Sequence, residues 1–586
     1  MIYKLFKEKV ENFPMKVALS FPNKIDITYS EFDKQATEMR RTLLRLGVNP
    51  GDRVALVLPN SPEMIILSLS ILSFATVAPL NPKYKQTEFD FYLTDLNPKV
   101  IIVPDGEDSP AIAVAQNRGI LILRLEANTG RIFPENGLKE IEIKIAEEKL
   151  AEESDVALVL HTSGTTSRPK IVPLTQKNIL ASTANLVRTL RLNPEDKCLN
   201  VMPLFHIHSF VVSLAVLISG GTLVCVPVFV ADEFFAWLDL YRPTWYTAAP
   251  TIHLAILKEA ENNQNILEKI KLKMIRSSSA PMSKEVILKL EEIFKAPVLE
   301  SYGMTEAALQ ITSNQFLPEK RKPGSAGRAD GPELIIVGDD GKKIETGKIG
   351  EVIVRGDNII SAYENNEEAN KNSFFNGWFR TGDLGYLDSD SYLFITGRSK
   401  EMINKGGEKI SPREIDEVLM RHPAIYQAVS FSVPHPSLGE EVGVAIILKN
   451  DFSLSKEELQ KFAKDNLADF KIPQLIIFVN DIPKGPTGKL QRIGLFNKLK
   501  DMNIIQEKNN KVVGSTNKIE EMLLRIWRNV LGENNLGVED NFFEMGGDSL
   551  KINEVVAQAT TQGLEIEIED FLNYPSIRAL ATKLSA

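Results

Sequence analysis

Cysteine is nearly missing from this chain: 586 residues hold two, Cys198 and Cys225. Both sit in apolar runs, so each reads as a buried structural thiol, with a catalytic or disulfide role as the alternative. Histidine is scarce as well, six in all, and none follows His435. No Lys/Arg block stands out against a net charge of −9, which speaks against a nucleic-acid partner. The most apolar run, HSFVVSLAVLISGGTLVCVPVFV at 208–230, is divided by Gly220, Gly221 and Pro227. A membrane span needs about 20 uninterrupted apolar residues, so the run reads as a buried helix, a turn and a buried strand. The N-terminal MIYKLFKEKVENF is helical and amphipathic but lacks a signal-peptide h-region. Internal repeats are also lacking. With 43% hydrophobic and 25% charged residues, the composition is that of a soluble globular protein, and a cytoplasmic enzyme without a membrane segment is expected.

What is present is a multidomain α/β chain. The length allows about three or four domains. Between residues 30 and 150, DRVALVLPN, PEMIILSLSILSFATVAPL, KVIIVPD and GILILRL alternate strand and helix patterns. KNILASTANLVRTL, TLVCVPV, KEVILKLEEIF and APVLESY repeat the alternation from 171 to 300. Layered sheets with helices packed outside follow. From 333 to 396, ELIIVGDDGKKI, GEVIVRG and YLFITG predict a compact antiparallel β subdomain. After 397 comes a smaller α+β unit, with IDEVLMRHP helical and QAVSFSVP and VGVAIILK as strands. KDMNIIQEKNNKVVGSTNK (500–518) is polar and aperiodic, a linker. IEEMLLRIWRNVLG then opens a helical bundle. From 515 to 586, 12 Asp/Glu against 6 Lys/Arg give −6, two thirds of the whole chain's −9, so this bundle is a distinct acidic module. The expected division is 1–396 (large core), 397–502 (small α+β unit), 503–514 (linker) and 515–586 (all-α bundle).

The residues that carry chemistry start with ALVLHTSGTTSRPKIVPLT, 157–175. A strand runs into a loop holding Thr162, Ser163, Gly164, Thr165, Thr166, Ser167 and Lys170. Hydroxyls, glycine-exposed amides and a cation make a polyphosphate cradle. It is not a G-x-x-x-x-G-K-[ST] loop: Pro169 holds the second glycine's place and Ile171 follows the lysine. At the other end, NFFEMGGDSL places Ser549 after two glycines and an aspartate, at the start of a predicted helix, with no imidazole in that module to activate it. It is either a helix cap or an attachment point.

The loop resembles that of acyl-adenylate-forming enzymes, the superfamily of acyl-CoA ligases, luciferases and non-ribosomal peptide synthetase adenylation domains. MPLFHIHSF (202–210), RSSSAP (276–281), ESYGMTE (300–306), WFRTGDLG (378–385), GRSKEMINKGGEKISPREID (397–416) and PKGPTGKLQR (483–492) follow in that family's order, across about residues 10–500. The resemblance implies ATP and Mg²⁺. Thr162, Ser163, Gly164, Thr165, Thr166 and Lys170 would face phosphates. Ser279, Ala280, Pro281, Glu300, Ser301, Tyr302, Gly303 and Met304 would surround the adenine, with the Tyr302 ring stacked on it. Thr305 would donate to a phosphate, and Glu306 would ligate Mg²⁺. Asp383 would accept the ribose hydroxyls, with Arg398 beside them. Lys489 becomes the adenylation lysine, its cation offsetting charge as a carboxylate attacks the α-phosphate. The small subdomain would swing about Lys400, and the Gly406–Gly407 hairpin would line a thiol channel. Phe205, His206, His208, Trp245 and Leu309 would form the acid pocket, His206 as its gate.

Amino-acid-activating relatives pair the substrate ammonium with an aspartate here, yet Asn200 to Thr222 contains no carboxylate. Burying an unpaired ammonium is costly, so a plain carboxylic acid is expected. LHTSGTTSRPK, PLFHIH, TWYTAAPTIH, MIRSSSA and INKGGEKISP look like the oxalate–CoA ligase group. Leu309 departs from that group's histidine, which points away from oxalate itself toward a less polar short acid. DNFFEMGGDSL resembles the attachment site of acyl and peptidyl carrier proteins, which implies 4′-phosphopantetheine on Ser549, placed by a phosphopantetheinyl transferase, its phosphate favoured by a helix N-terminus. The expected function is ATP-dependent activation of a small acid and its loading onto the fused carrier, for a downstream condensation or tailoring enzyme. Rival readings are a ligase acting on free CoA, an amino-acid-loading didomain, and a non-catalytic scaffold.

Overall fold

The computed structural model describes residues 1–135, 149–162, 169–316, 318, 320–435, 438–449, 452–483, 490–502, 504, 514–532, 536–542, 545, 547 and 549–585. Helices form where the periodicity demands. Tyr29–Arg45 buries one face (Tyr29, Phe32, Ala36, Met39, Leu43) and opens with a capping box of Thr28 and Glu31. Pro62–Leu72 is apolar all round and is buried on every side. The 208–230 run resolves as helix Ile207–Ile218 and strand Thr222–Cys225. A Cβ on Gly221 would lie 2.8 Å from the Asp196 carbonyl oxygen, so the turn between them needs glycine. Cys198 and Cys225 are buried and free, on adjacent strands.

Among the described residues two large sheets carry the N-terminal part. Seven strands run in the order Ile132–Pro134, Leu121–Leu125, Val100–Pro104, Arg53–Leu56, Thr76–Pro79, Val156–His161, Ile171–Thr175. Nine run in the order Arg328–Ala329, Leu309–Ser313, Val298–Met304, Met274–Ser277, Trp245–Ala248, Lys197–Asn200, Thr222–Cys225, Val17–Ser20, Ile27–Thr28. The central strands of the second are parallel and largely buried on both faces, hence their mostly apolar sequences. In such sheets ligands gather at the carboxyl ends of the strands, and those ends lead into the segments singled out above.

The expected β subdomain is a five-stranded antiparallel sheet that includes Glu333–Val337, Gly350–Arg355, Trp378–Leu387 and Leu393–Arg398. A further five-stranded sheet, with Gly439–Leu448 at its centre and Ile425–His435 along one edge, forms the smaller unit. Helices Lys518–Leu531, Ser549–Thr561, Asp570–Asn573 and Ile577–Ser585 then enclose Trp527, Phe542 and Phe571. The Trp527 and Phe542 rings meet edge-on at 4.7 Å. No helix among the described residues is long and apolar enough to cross a membrane.

Candidate active site

The segment after strand Lys197–Asn200 is pinned from beneath. Asn200 Nδ2 donates to Ser209 Oγ at 2.9 Å and Ser213 Oγ at 3.1 Å. Asn60 Nδ2 donates to the Met202 and Val226 carbonyls, and its Oδ1 accepts from Leu204 N at 2.8 Å. This fixes Phe205 and His206, whose rings touch at 4.5 Å, and starts the helix that carries His208. His208 is buried. Its Nδ1 lies 2.9 Å from Ser279 Oγ and its Nε2 2.7 Å from Thr247 Oγ1.

The same Nε2 lies 2.9 Å from Nη1 of Arg276. Arg276 is completely buried. Its Nη2 reaches Gln310 Oε1 at 3.4 Å, its Nε has no partner, and no carboxylate among the described residues pairs with it. Burial alone lowers the guanidinium to about 10. Trp245 lies two residues before Thr247 but is wholly buried in the main core, and Leu309 is core-packed too; of the expected acid-pocket set, the structure brings His208 to the buried cation. Leu309 has φ +106 and Ser279 φ +78, left-handed positions that non-glycine residues rarely hold. A Cβ on Gly303 would fall 1.4 Å from the Leu309 carbonyl oxygen, which explains the glycine of ESYGMTE.

Asp383 and Arg398 face each other on paired strands, with Arg398 Nε 3.0 Å from Asp383 Oδ1. Tyr302 donates its hydroxyl to Asp383 Oδ2 at 2.5 Å, and burial followed by the Asp383 charge holds that phenol well above its usual range. A carboxylate has about four lone-pair positions, so Asp383 keeps capacity for a diol. Glu300, one strand turn earlier, accepts from Gly324 N at 3.0 Å and is pushed by burial up to about 8. Ser301 bonds back to the Ser277 carbonyl, while Ala280 and Pro281 are exposed.

Across from these, Thr162 N donates to the Lys170 carbonyl at 3.0 Å and Lys170 N to Thr162 Oγ1 at 3.3 Å. Lys170 Nζ sits 4.3 Å over the Tyr363 ring, and desolvation lowers it. Tyr363 Oη donates to Glu306 Oε1 at 2.7 Å. Glu306 is buried, in the short turn Thr305–Ala307. Among the described residues no group of three or more His, Cys, Asp or Glu could hold a metal by itself. A lone hard carboxylate fits Mg²⁺, which is usually shared with substrate phosphates and water.

Lys400 lies in the turn Ser399–Glu401 and acts electrostatically on Lys170. Gly406 (φ +60) and Gly407 (φ +97) form the hairpin between Ile403–Lys405 and Glu408–Ile410, and Gly406 N donates to the Leu438 carbonyl at 2.8 Å. Ser549 is the first residue of its helix. A Cβ on Gly547 would lie 2.2 Å from the Phe542 ring, so this glycine lets the loop close on the carrier core. Ser163, Gly164, Thr165, Thr166, Lys489 and the Ser549 side chain lie outside the described residues. Sequence reasoning missed Arg276, Thr247, Gln310 and Tyr363. For Arg276 there was a signal, a charge inside the apolar strand KMIRS.

A row of polar groups along strand ends, with a serine-bearing helical module later in the chain, is the arrangement of an ATP-dependent acid–thiol ligase joined to a carrier domain. Comparison with known proteins agrees. Residues 6–364 match the AMP-binding enzyme family, 414–489 the AMP-binding enzyme C-terminal domain and 521–584 the phosphopantetheine attachment site. The chain belongs to the AMP-binding enzyme family. It is 40% identical over 498 residues to the oxalate–CoA ligase of Arabidopsis thaliana, covering 83% of this chain and 96% of that protein. It is 32% identical over 481 residues to the sulfoacetate–CoA ligase of Cupriavidus necator, covering 80% and 92%. The solved structure of ATP-bound MatB from Rhodopseudomonas palustris aligns with TM-score 0.77 at 28% identity, over 86% of this chain and all of that one.

Proposed function

We propose that this protein activates a small carboxylic acid bearing a second anionic group and loads it onto the phosphopantetheine thiol of Ser549. The observation that carries the substrate class is Arg276. Leaving a cation buried without a carboxylate is costly, so a site that does so is built for an anion that arrives with the ligand. His208, Ser279 and Thr247 extend that receptor with further polar groups. A substrate ammonium would be repelled by the same cation, which argues against amino-acid loading. The relatives named for oxalate and sulfoacetate, both acids with a second anion, support the reading. It replaces the less polar acid that Leu309 suggested: the donor missing at 309 is supplied by Arg276, two strands away in the same sheet.

The chemistry then runs as follows. One carboxylate oxygen attacks the α-phosphorus, an acyl–phosphate bond forms, and pyrophosphate leaves. Lys489 offsets charge on the transferred phosphoryl oxygens. Asp383 and Arg398 orient the ribose, and the Tyr302 face supports the adenine. Glu306 would hold Mg²⁺, which neutralises phosphate charge when bound. In the second step the pantetheine sulfur attacks the acyl carbon and AMP departs. A second reading, transfer to free CoA, is favoured by the names of the relatives.

Intact-protein mass spectrometry of the pantetheinylated chain, given ATP, Mg²⁺ and a pool of dicarboxylic, sulfonated, simple monocarboxylic and amino acids, tests both halves. An added acyl mass from a doubly anionic acid, lost in Ser549→Ala, is expected. Loading of a simple monocarboxylic or amino acid instead would overturn the substrate class. Acyl-CoA made at the expense of carrier loading would establish the second reading.

A further inference from the structure

Tyr363 belongs to none of the motifs, yet it touches two of the groups that ATP would meet. Its hydroxyl donates to Glu306 Oε1 at 2.7 Å and its ring face carries the Lys170 ammonium at 4.3 Å. The tyrosine is itself 5% exposed and held on every side. Its backbone N donates to Asn370 Oδ1 at 2.7 Å, and Asn370 Nδ2 returns a bond to its carbonyl at 2.8 Å. Upstream, Ile360 N donates to the Glu306 carbonyl at 2.9 Å, and Asn358 Nδ2 donates to the Ala307 and Gln310 carbonyls at 3.0 and 2.9 Å. Downstream, Glu364 N donates to the Ile171 carbonyl at 3.2 Å, and the Glu364 carboxylate pairs with Arg53 at 2.5 Å. Segment 358–364 is therefore stitched on one side to the Glu306 turn and on the other to the residue after Lys170.

We infer that Tyr363 is a positioning residue with two separable duties: its hydroxyl orients the Glu306 carboxylate toward the metal, and its ring holds the Lys170 ammonium at a fixed station facing the phosphates. Groups that hold a metal-ligating carboxylate matter nearly as much as the ligand itself, and a cation placed over an aromatic face is confined by it. The inference rests on the reading of Glu306 as metal ligand, and the test separates the two.

Acid is withheld so that no turnover occurs, and Mn²⁺ affinity of the full-length protein with ATP is read by water-proton relaxation. ATP affinity in EDTA is read by calorimetry. Glu306→Gln must weaken Mn²⁺ binding; if it does not, the Glu306 reading fails. Given that, Tyr363→Phe keeps the ring and should weaken Mn²⁺ about tenfold while leaving metal-free ATP affinity and thermal stability unchanged. Tyr363→Leu should add a several-fold loss of metal-free ATP affinity. The proposal is overturned if the Phe variant binds Mn²⁺ like the parent, or if Phe and Leu lower both affinities alike, which is the behaviour of a merely structural side chain.

Discussion

Glu300 makes the stability of the nucleotide-side sheet depend on pH, with a sign opposite to that of most carboxylates. Its side chain is half-buried beside the strand ends, accepts one hydrogen bond from Gly324 N, and is raised by desolvation from 4.5 to about 8, with Gly324 N–H and Arg413 pulling it back and Glu291 adding to the rise. Below 4.5 the carboxyl is protonated in folded and unfolded chains alike, and the stability it lends is fully present. Between 4.5 and about 8 the folded protein keeps a proton that the unfolded chain has released, so stability falls as pH rises through this window. The slope is at most about 1.4 kcal/mol per pH unit, which over the gap sets a ceiling of about 5 kcal/mol. Glu300→Gln keeps the shape and an oxygen for Gly324 but cannot ionise. The variant should therefore gain on the parent steadily from pH 5 to pH 8 and level off above. Hydrogen exchange of the amides in strand Val298–Met304, compared between parent and variant at each pH, reads the local opening free energy and cancels the intrinsic pH dependence of exchange. A constant difference across pH 5–9, or one that narrows with rising pH, would refute the assignment of a desolvated, protonated Glu300.

Arg276→Met should stabilise the ligand-free protein by up to about 3 kcal/mol, the cost of holding a guanidinium at about 10 instead of 12.5. The same change should raise the KM for the acid at least a hundredfold with the KM for ATP unchanged; an unaffected acid KM sinks the anion-receptor argument. Lys489→Ala should abolish acid-dependent pyrophosphate release while thioester formation from supplied acyl-adenylate survives. Equal loss of both steps would contradict the view that two orientations of the small subdomain serve the two half-reactions.

Much of this architecture is legible in the chain because burial writes directly onto pattern. TLVC reads as a buried strand, and the glycines at 220 and 221 cut an apparent membrane span into two core elements. Single motif residues were legible too, but not their pairings. Asp383 and Arg398 lie 15 positions apart and meet only because their strands pair antiparallel. Arg276 stood inside the quoted motif RSSSAP and was passed over, since a long charged side chain usually ends in solvent; its burial without a carboxylate is a tertiary fact. Tyr363 was less visible still. AYENNEE is a polar stretch with no period, and nothing in it marks the tyrosine as the element that faces Glu306. Trp245 shares a strand face with Thr247, two positions on, but is itself wholly buried in the main core, which sequence proximity to the acid segment does not reveal.

The carrier raises a question of competition that chain physics can settle. Residues 503–514, the proposed linker, lie mostly outside the described residues; a flexible tether of 12 residues would have an end-to-end distance of roughly 20 Å. A thiol on so short a tether reaches an effective concentration in the millimolar range. Free CoA at about 50 μM should then capture only a few per cent of the acyl groups, and the rest should appear on Ser549. Inserting about 24 Gly/Ser residues would triple the linker, and effective concentration falls as roughly the 3/2 power of length, so the carrier's advantage over CoA should drop about fivefold. Measuring the ratio of Ser549 thioester to acyl-CoA, rather than either rate, removes any shared slow step such as subdomain rotation. A ratio that does not move with linker length would mean that the tether contributes nothing. A ratio already in favour of CoA at 50 μM would make the enzyme a CoA ligase whose carrier is filled by another route.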